Sequence, residues 1–353
     1  LMLTQRFPGH FDGVIAGAPL LEAPKAALVR PAFITQVYAD LARKQGLVDR
    51  NGLPFINRSL TDDDLNVLAR GVAKSCDALD GVVDGISQDF KACSTTFNPM
   101  LLACGPGQTS DCLSADKAAA IQKQMKGIPG DIAWHYDMGA VPGQFRSWWI
   151  GPANAPQSST IMVNGGAPTT TLTPPPAINM VINNGSEPYR SMLNFDIAKD
   201  IGGIYATTSQ FPESIWNIMM ATSTDVSRFV DRGGKIMMFH GVSDGAFSIN
   251  QTINYLDQLN AARGGTAGSF AKLYAVPGMG HCSDGPATSS FEMLSALEKW
   301  VEEGTAPESI LATAPASTPW PGRTRPLCPY PQVARYNGTG SIESASGFTC
   351  KAP

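Results

Sequence analysis

The chain has 353 residues, of which 43% are hydrophobic and 16% charged, with 35 glycines, 27 prolines and a formal net charge of −4. That length and apolar content exclude a disordered chain and supply the core of one large domain or two modest ones, and the abundant turn-formers imply a loop-rich fold. Lys and Arg are scattered without a basic run, and no apolar stretch approaches the roughly 18 residues that a bilayer crossing needs, so neither nucleic acid nor a membrane is an expected partner.

Leu1 to Arg6 reads as the end of a helix, broken at Phe7-Pro8-Gly9 and followed by a short apolar strand within residues 11–19. Helix, turn and buried strand in that order are the material of an α/β sheet. The alternation then stops from Leu20 to about Thr224. Amphipathic helices are predicted over 33–45, 61–75 and 114–125, among Pro/Gly/Thr-rich stretches such as 169–176. This segment reads as a separate inserted domain or lid.

Alternation returns at Asp225. A helix over 225–232 is stopped by Gly233-Gly234, and a buried strand follows over 235–240. Next come a helix over 248–262 with Ile249, Ile253, Leu256 and Leu259 on one face, a strand over 270–276, and an amphipathic helix over 290–303. That is the rhythm of a parallel sheet, whose sites lie at the carboxyl ends of its strands. The expected organisation is a core segment 1–21, a lid 22–224 and a second core segment 225–353.

Seven cysteines divide by spacing into the local sets Cys76/Cys93, Cys104/Cys112 and Cys328/Cys350, with Cys282 alone. Cys-x-x-Cys pairs of the zinc type are absent. Three local disulfides in an oxidising compartment, hence a secreted or periplasmic protein, account for the short loops; the alternative is a set of ordinary buried thiols. Asn-x-Ser/Thr triplets begin at Asn57, Asn184, Asn250 and Asn337, each a formal glycosylation acceptor.

Both late strands end in polar turns, His240-Gly241-Val242-Ser243-Asp244-Gly245 and Pro277-Gly278-Met279-Gly280-His281-Cys282. A carboxylate and an imidazole on loops after successive strands suit the last two members of a Ser…Asp…His triad in α/β-hydrolase order. His281 is then the general base, and Asp244 fixes its tautomer and stabilises the imidazolium. Gly241-Val242-Ser243-Asp244-Gly245 also fits the nucleophile-elbow pattern, which makes Ser243 the alternative nucleophile. Too little chain follows it to hold both an acid and a base, however, and no other Gly-x-Ser-x-Gly occurs.

A second constellation is Cys76-Asp77-Ala78-Leu79-Asp80-Gly81-Val82-Val83-Asp84-Gly85-Ile86. Its carboxylates would repel one another unless a cation sat between them. Asp77, Asp80 and Asp84, with the carbonyls of Val82 and Ile86, are a hard-oxygen set suited to structural Ca²⁺; the alternative is a solvated acidic turn.

With these segments, Gln5-Arg6-Phe7-Pro8, Phe11 through Pro19 and Arg325-Pro326-Leu327-Cys328-Pro329-Tyr330-Pro331, the sequence resembles the tannase and feruloyl esterase family of serine hydrolases, which also includes the hydrolase of mono(2-hydroxyethyl) terephthalate. The matching motifs run through nearly the whole chain in the family's order. The resemblance implies an α/β-hydrolase core carrying a large lid, with Asp244 as acid, His281 as base and the acidic loop as the lid's calcium site. It implies hydrolysis of galloyl, feruloyl or related aromatic esters through an acyl-enzyme, with no redox or organic cofactor. His240 and Phe247 beside the acid loop, and Trp148 and Trp149 in the lid, are candidate substrate contacts.

The family's nucleophile lies in a Cys-Ser-x-Gly-Gly elbow that this sequence does not contain. The resemblance therefore implies a carboxyl-terminal portion of a larger enzyme, inactive alone, whose amino-terminal part carries the serine, the oxyanion-hole donors and the cysteine that bridges Cys282. The alternatives are a calcium-stabilised binding protein without catalysis, and a hydrolase that uses Ser243.

Overall fold

A computed structural model describes residues 1–135, 141–154 and 186–353. The stretch 169–176 and the triplet at Asn184 lie outside the described residues. Helix α1 (Met2–Arg6) leads into strand β1 (Gly13–Gly17). Four longer helices follow: α2 (Arg30–Lys44), α3 (Asp62–Cys76), α4 (Phe90–Thr96) and α5 (Ala115–Lys126). The start of α3 is written into the sequence. Thr61 accepts from the Asp64 N–H at 3.1 Å, and the Asp64 carboxylate accepts from the Thr61 N–H at 2.7 Å, a reciprocal cap that satisfies two otherwise orphaned donors.

These helices bury one continuous apolar cluster, including Tyr38, Leu65, Leu68, Ile121, Phe145 and Trp149. It is joined by Tyr189 of α6 (Ser186–Asn194). Among the described residues no named strand occurs between Gly17 and Lys235, as the lost alternation implied.

The chain then returns to β1. Strand β2 (Lys235–Gly241), helix α7 (Ile249–Ala262) and strand β3 (Ala271–Val276) complete a parallel sheet in the order β1-β2-β3. Val14 pairs with Ile236, and Ile236 with Ala271. Alternation along β2 sends Ile236 and Met238 to a core shared with Phe229, Ile253, Leu256 and Leu259. Met237 faces the opposite core with Tyr274, Val276, Leu297 and Trp300. With both faces covered, the strands are near-continuous apolar runs, and their carboxyl ends are left to carry polar loops.

Two expected helices are shorter than the periodicity implied. The one over 225–232 is a single turn, Ser227–Val230, because Asp225 accepts from both the N–H and the hydroxyl of Ser227, at 3.3 and 2.6 Å, and so starts the helix late. The one over 290–303 splits into β4 (Ser290–Phe291) and α8 (Leu294–Glu302). The Glu292 carboxylate accepts from the N–H groups of Leu294 and Ser295, capping the helix there. Ser290 and Phe291 pair instead with Thr313 and Ala312 of β5 (Ile310–Thr313).

Beyond α8 the chain adds antiparallel strands that no sequence periodicity announces: β6 (Thr324–Leu327) on β5, and the pair β7 (Val333–Tyr336) and β8 (Phe348–Lys351). Disulfides join Cys76–Cys93, Cys104–Cys112 and Cys328–Cys350, the three local pairs expected, and Cys282 is free and exposed. The triplet at Asn57 is closed to modification in the folded chain: Asn57 is buried and its amide donates to the Ala153 carbonyl at 3.1 Å.

Candidate active site

The loops after β2 and β3 are pressed together because glycine occupies both sides of their contact. A Cβ on Gly241 would meet the carbonyl oxygens of Gly280 and Met279, each at 2.3 Å. The Ser243 N–H donates to the Met279 carbonyl at 3.0 Å, which fixes the register of the two loops. Beyond His281, Cys282 at φ 60° and Asp284 at φ 63° turn the chain back in the left-handed region, closed by the Gly280 N–H donating to the Asp284 carbonyl at 3.2 Å.

This arrangement brings Asp244 and His281 together. His281 Nδ1 lies 2.9 Å from Asp244 Oδ2. The carboxylate is completely buried, while 29% of the imidazole side chain is exposed. The other carboxylate oxygen, Oδ1, accepts from the N–H groups of Ala246 and Phe247 at 2.8 and 3.0 Å. Burial pushes the Asp244 carboxyl up, but the hydrogen bonds and charges of His240 and His281 outweigh it and hold the group at about 2. The same hydrogen bond raises His281 above the ordinary histidine range, against its partial burial. Among the described residues nothing bonds to His281 Nε2, the nitrogen that points away from the acid. The pair therefore has the geometry of a base whose tautomer is set from behind and whose free nitrogen is open to a proton.

Aromatic edges close two sides of that imidazole. Trp148 and Phe247 meet it in T-shaped contacts with centroids at 5.3 and 5.2 Å. Trp148 and Trp149 lie on one π-helical turn, Arg146–Ile150, which sends them in different directions. Trp149 is buried in the core of the inserted helices and donates from Nε1 to the Gly245 carbonyl at 2.9 Å, tying those helices to the acid loop. His240 is completely buried too. Its Nε2 lies 3.3 Å from Asp244 Oδ2 and its Nδ1 2.8 Å from the Thr252 hydroxyl. Of the four expected substrate contacts, Trp148 and Phe247 flank the base, whereas Trp149 and His240 lie behind the acid loop with no surface to offer.

Two neighbours had no sequence signal. Gln144 Oε1 accepts from the His281 N–H at 3.3 Å, and its side chain fills the space where Gly280 would carry a Cβ. Thr252, on α7, has in the sequence only its place as the last residue of the Asn250 triplet; Gly280, a glycine beside the base, was the one hint that something packs closely there. Ser243, the alternative nucleophile, is completely buried. Cys282 is exposed, and partial desolvation together with the Asp244 charge raises its pKa.

The acidic loop is closed by Cys76–Cys93. Asp77 accepts from the Asp84 and Gly85 N–H groups at 3.1 and 3.0 Å, and Asp80 from those of Val82 and Gln88 at 3.2 and 3.1 Å. Asp84 is ion-paired to Arg325. Among the described residues no group of three or more His, Cys, Asp or Glu converges as a metal cage. The residue types are hard oxygen donors: Asp77, Asp80 and Asp84 are each buried, and among the described residues no basic side chain pairs with the first two. Burial, added to repulsion from Asp84 and Asp77, pushes the Asp80 carboxyl up to about 7.

A family model described as tannase and feruloyl esterase matches residues 1–351. Mono(2-hydroxyethyl) terephthalate hydrolase of Piscinibacter sakaiensis is 41% identical, over 100% of this chain and 62% of that protein. A probable feruloyl esterase of Arthroderma benhamiae is 29% identical, over 98% of this chain and 60% of its own length. The crystal structure of feruloyl esterase B from Aspergillus oryzae superposes with a TM-score of 0.68 at 22% identity, covering 99% of this chain and 65% of that one. This last likeness shows a shared mixed α/β fold. The chain spans less than two thirds of the length of these relatives.

Proposed function

This chain belongs to the tannase and feruloyl esterase family, and from that premise we propose that it carries the acid and base of a serine carboxylic ester hydrolase. The observation that carries the reading is the Asp244–His281 pair, buried on the acid side and open at Nε2. A serine hydroxyl attacks the ester carbonyl while His281 Nε2 takes its proton. Backbone N–H groups hold the oxyanion, and the same proton passes to the leaving alcohol. Water then cleaves the acyl-enzyme by the same path. The serine and the oxyanion donors come from sequence outside these 353 residues, in keeping with the greater length of the relatives and with the complete burial of Ser243.

The core is of the α/β-hydrolase type, with residues 1–21 and 225–353 forming its described part and 22–224 inserted as a lid. The substrates are aromatic acid esters of the galloyl or feruloyl kind, gripped beside the base by Trp148 and Phe247. The acidic loop holds structural calcium through Asp77, Asp80 and Asp84 with the carbonyls of Val82 and Ile86, and it takes no part in the chemistry. Cys282, next to the base, bridges a cysteine that precedes the serine. Three disulfides support a secreted or periplasmic location, and among the described residues no helix is long and apolar enough to cross a membrane.

The test compares feruloyl, galloyl and mono(2-hydroxyethyl) terephthalate esters as substrates of this chain alone and of the protein with its upstream sequence. Hydrolysis by the longer protein alone, abolished by His281→Ala, is the expected result. Hydrolysis by the isolated chain that disappears in Ser243→Ala would move the nucleophile to Ser243. No hydrolysis by either folded protein would leave a binding function.

A further inference from the structure

Asp244 Oδ2 faces two imidazoles. His281 Nδ1 lies at 2.9 Å on the open side, and His240 Nε2 at 3.3 Å on the core side. The partners of His240 fix its hydrogen. Nε2 also lies 3.0 Å from the Phe247 carbonyl, which has no proton to give, so Nε2 carries the hydrogen and donates it to that carbonyl, with the carboxylate oxygen 3.3 Å from the same nitrogen. Nδ1 meets the hydroxyl of Thr252, a residue that is itself completely buried. His240 stands near the end of β2 and Thr252 in α7, so the ring is gripped between two regular elements rather than by a loop.

We propose that His240 is a positioning residue for the acid–base pair: with its ring fixed by Thr252, one N–H clamps both Asp244 Oδ2 and the Phe247 carbonyl. The carboxylate then presents a single oxygen to His281, and the Phe247 ring is held against the base. This rests on the reading of Asp244 and His281 as acid and base. It also gives His240 a role other than substrate contact, one consistent with its complete burial.

The consequence is electrostatic as well as geometric. A carboxylate oxygen that already accepts from one N–H is a weaker base toward a second. Without His240, Oδ2 grips the His281 proton more tightly, and His281 titrates at higher pH. Among the described residues the titratable groups about His281 are Asp244 and Cys282, and in the full-length protein the disulfide proposed for Cys282 removes its thiol; Trp148, Phe247 and Gln144 on the other sides are uncharged.

The test is a titration of imidazole nitrogen shifts in the full-length protein labelled with 15N at histidine. His240→Leu is expected to raise the His281 midpoint by about half a pH unit, a threefold gain in proton affinity. His240→Gln, whose amide N–H can reach the same acceptors, is expected to restore it. A folded His240→Leu protein with an unchanged or lowered midpoint overturns the proposal. Should that variant not fold, the unaltered protein decides: His240 must show a protonated Nε2 at neutral pH, and a ring protonated at Nδ1 alone overturns the assignment. Esterase assays on the same samples separate the two readings, since a shifted midpoint without hydrolysis keeps the clamp and removes the catalytic role, and hydrolysis with an unshifted midpoint does the reverse.

Discussion

Gly241 and Gly280 meet backbone to backbone, so closely that a Cβ on Gly241 would fall 2.3 Å from the Gly280 carbonyl oxygen. Each belongs to one of the loops that carry the acid and the base, and their contact sets how near Asp244 comes to His281. Gly241→Ala must push those loops apart. The expected cost is about 1–3 kcal/mol of stability, as for other overpacked sites, together with a fall of the His281 midpoint as its bond to Asp244 lengthens. Thermal denaturation and the imidazole titration check both. Gly9→Ala, where nothing lies within 4 Å of the added carbon, is the matched control and should move neither.

That contact also marks where the sequence stops being informative. The strands at 235–240 and 270–276 were legible because burial on both faces leaves unbroken apolar runs, and a polar loop after each announced Asp244 and His281. Their distance was not legible, since it depends on two glycines touching across the sheet. His240 read as a substrate contact from its place beside the acid; only the pleat of β2 determines that it points inward, to Thr252. Trp148 and Trp149 are neighbours with the same chemistry, separated by one π-helical turn into an aromatic edge on the base and a buried tie to Gly245. The split of 290–303 was hidden because Glu292 acts through its side chain as a cap, which helical periodicity does not reveal.

The acid–base pair gives stability a defined pH window. The Asp244 carboxyl is held near 2, below its unfolded value of about 4, so it contributes roughly 2 kcal/mol above that unfolded value and loses this as pH falls toward 2. His281 is raised, so its contribution is complete below an unfolded value of about 6.5 and is lost as pH rises through the folded one. The stability difference between the protein and Asp244→Asn should therefore be largest between about pH 4 and 6.5 and shrink on either side. Denaturant unfolding at stepped pH reads it. A difference that is flat from pH 3 to 8 would mean that the two groups are not coupled as described.

Arg325 is expected to be among the least replaceable charges in the chain. Its guanidinium is completely buried, ion-paired to Asp84 and laid 3.9 Å over the Phe348 ring, so it joins β6 to the acidic loop. With chelator present, Arg325→Met leaves the Asp84 carboxylate buried without a partner, at a cost of about 3–5 kcal/mol. The double variant with Asp84→Asn should recover part of that loss, because the stranded charge is gone. The exposed pair Arg70–Asp111 is the contrast: Arg70→Met should change stability by less than about 1 kcal/mol. Equal losses from Arg325→Met and Arg70→Met in urea unfolding would contradict the buried-pair account.

Calcium should show itself through stability rather than catalysis. Asp77, Asp80 and Asp84 are buried within one disulfide-closed loop, and Arg325 offsets only the last of them. The C-terminal segment grips the same loop: Arg323, just before β6, donates to the Asp84 carbonyl at 2.5 Å, and Arg335 of β7 donates to the Leu79 carbonyl at 2.5 Å and to Asp89 at 2.6 Å. A cation that neutralises the remaining charge stabilises both the loop and the strands docked on it. At a hundredfold excess over its dissociation constant a ligand bound only to the folded state adds about 2.7 kcal/mol. Chelator should therefore lower the melting temperature by several degrees, and added Ca²⁺ should restore it. The triple variant Asp77→Asn, Asp80→Asn, Asp84→Asn relieves the repulsion without the ion, so it should melt at the same temperature with or without chelator. If chelation leaves the unaltered protein's melting temperature where it was, the loop is an acidic turn held by its own backbone N–H groups and by Arg325.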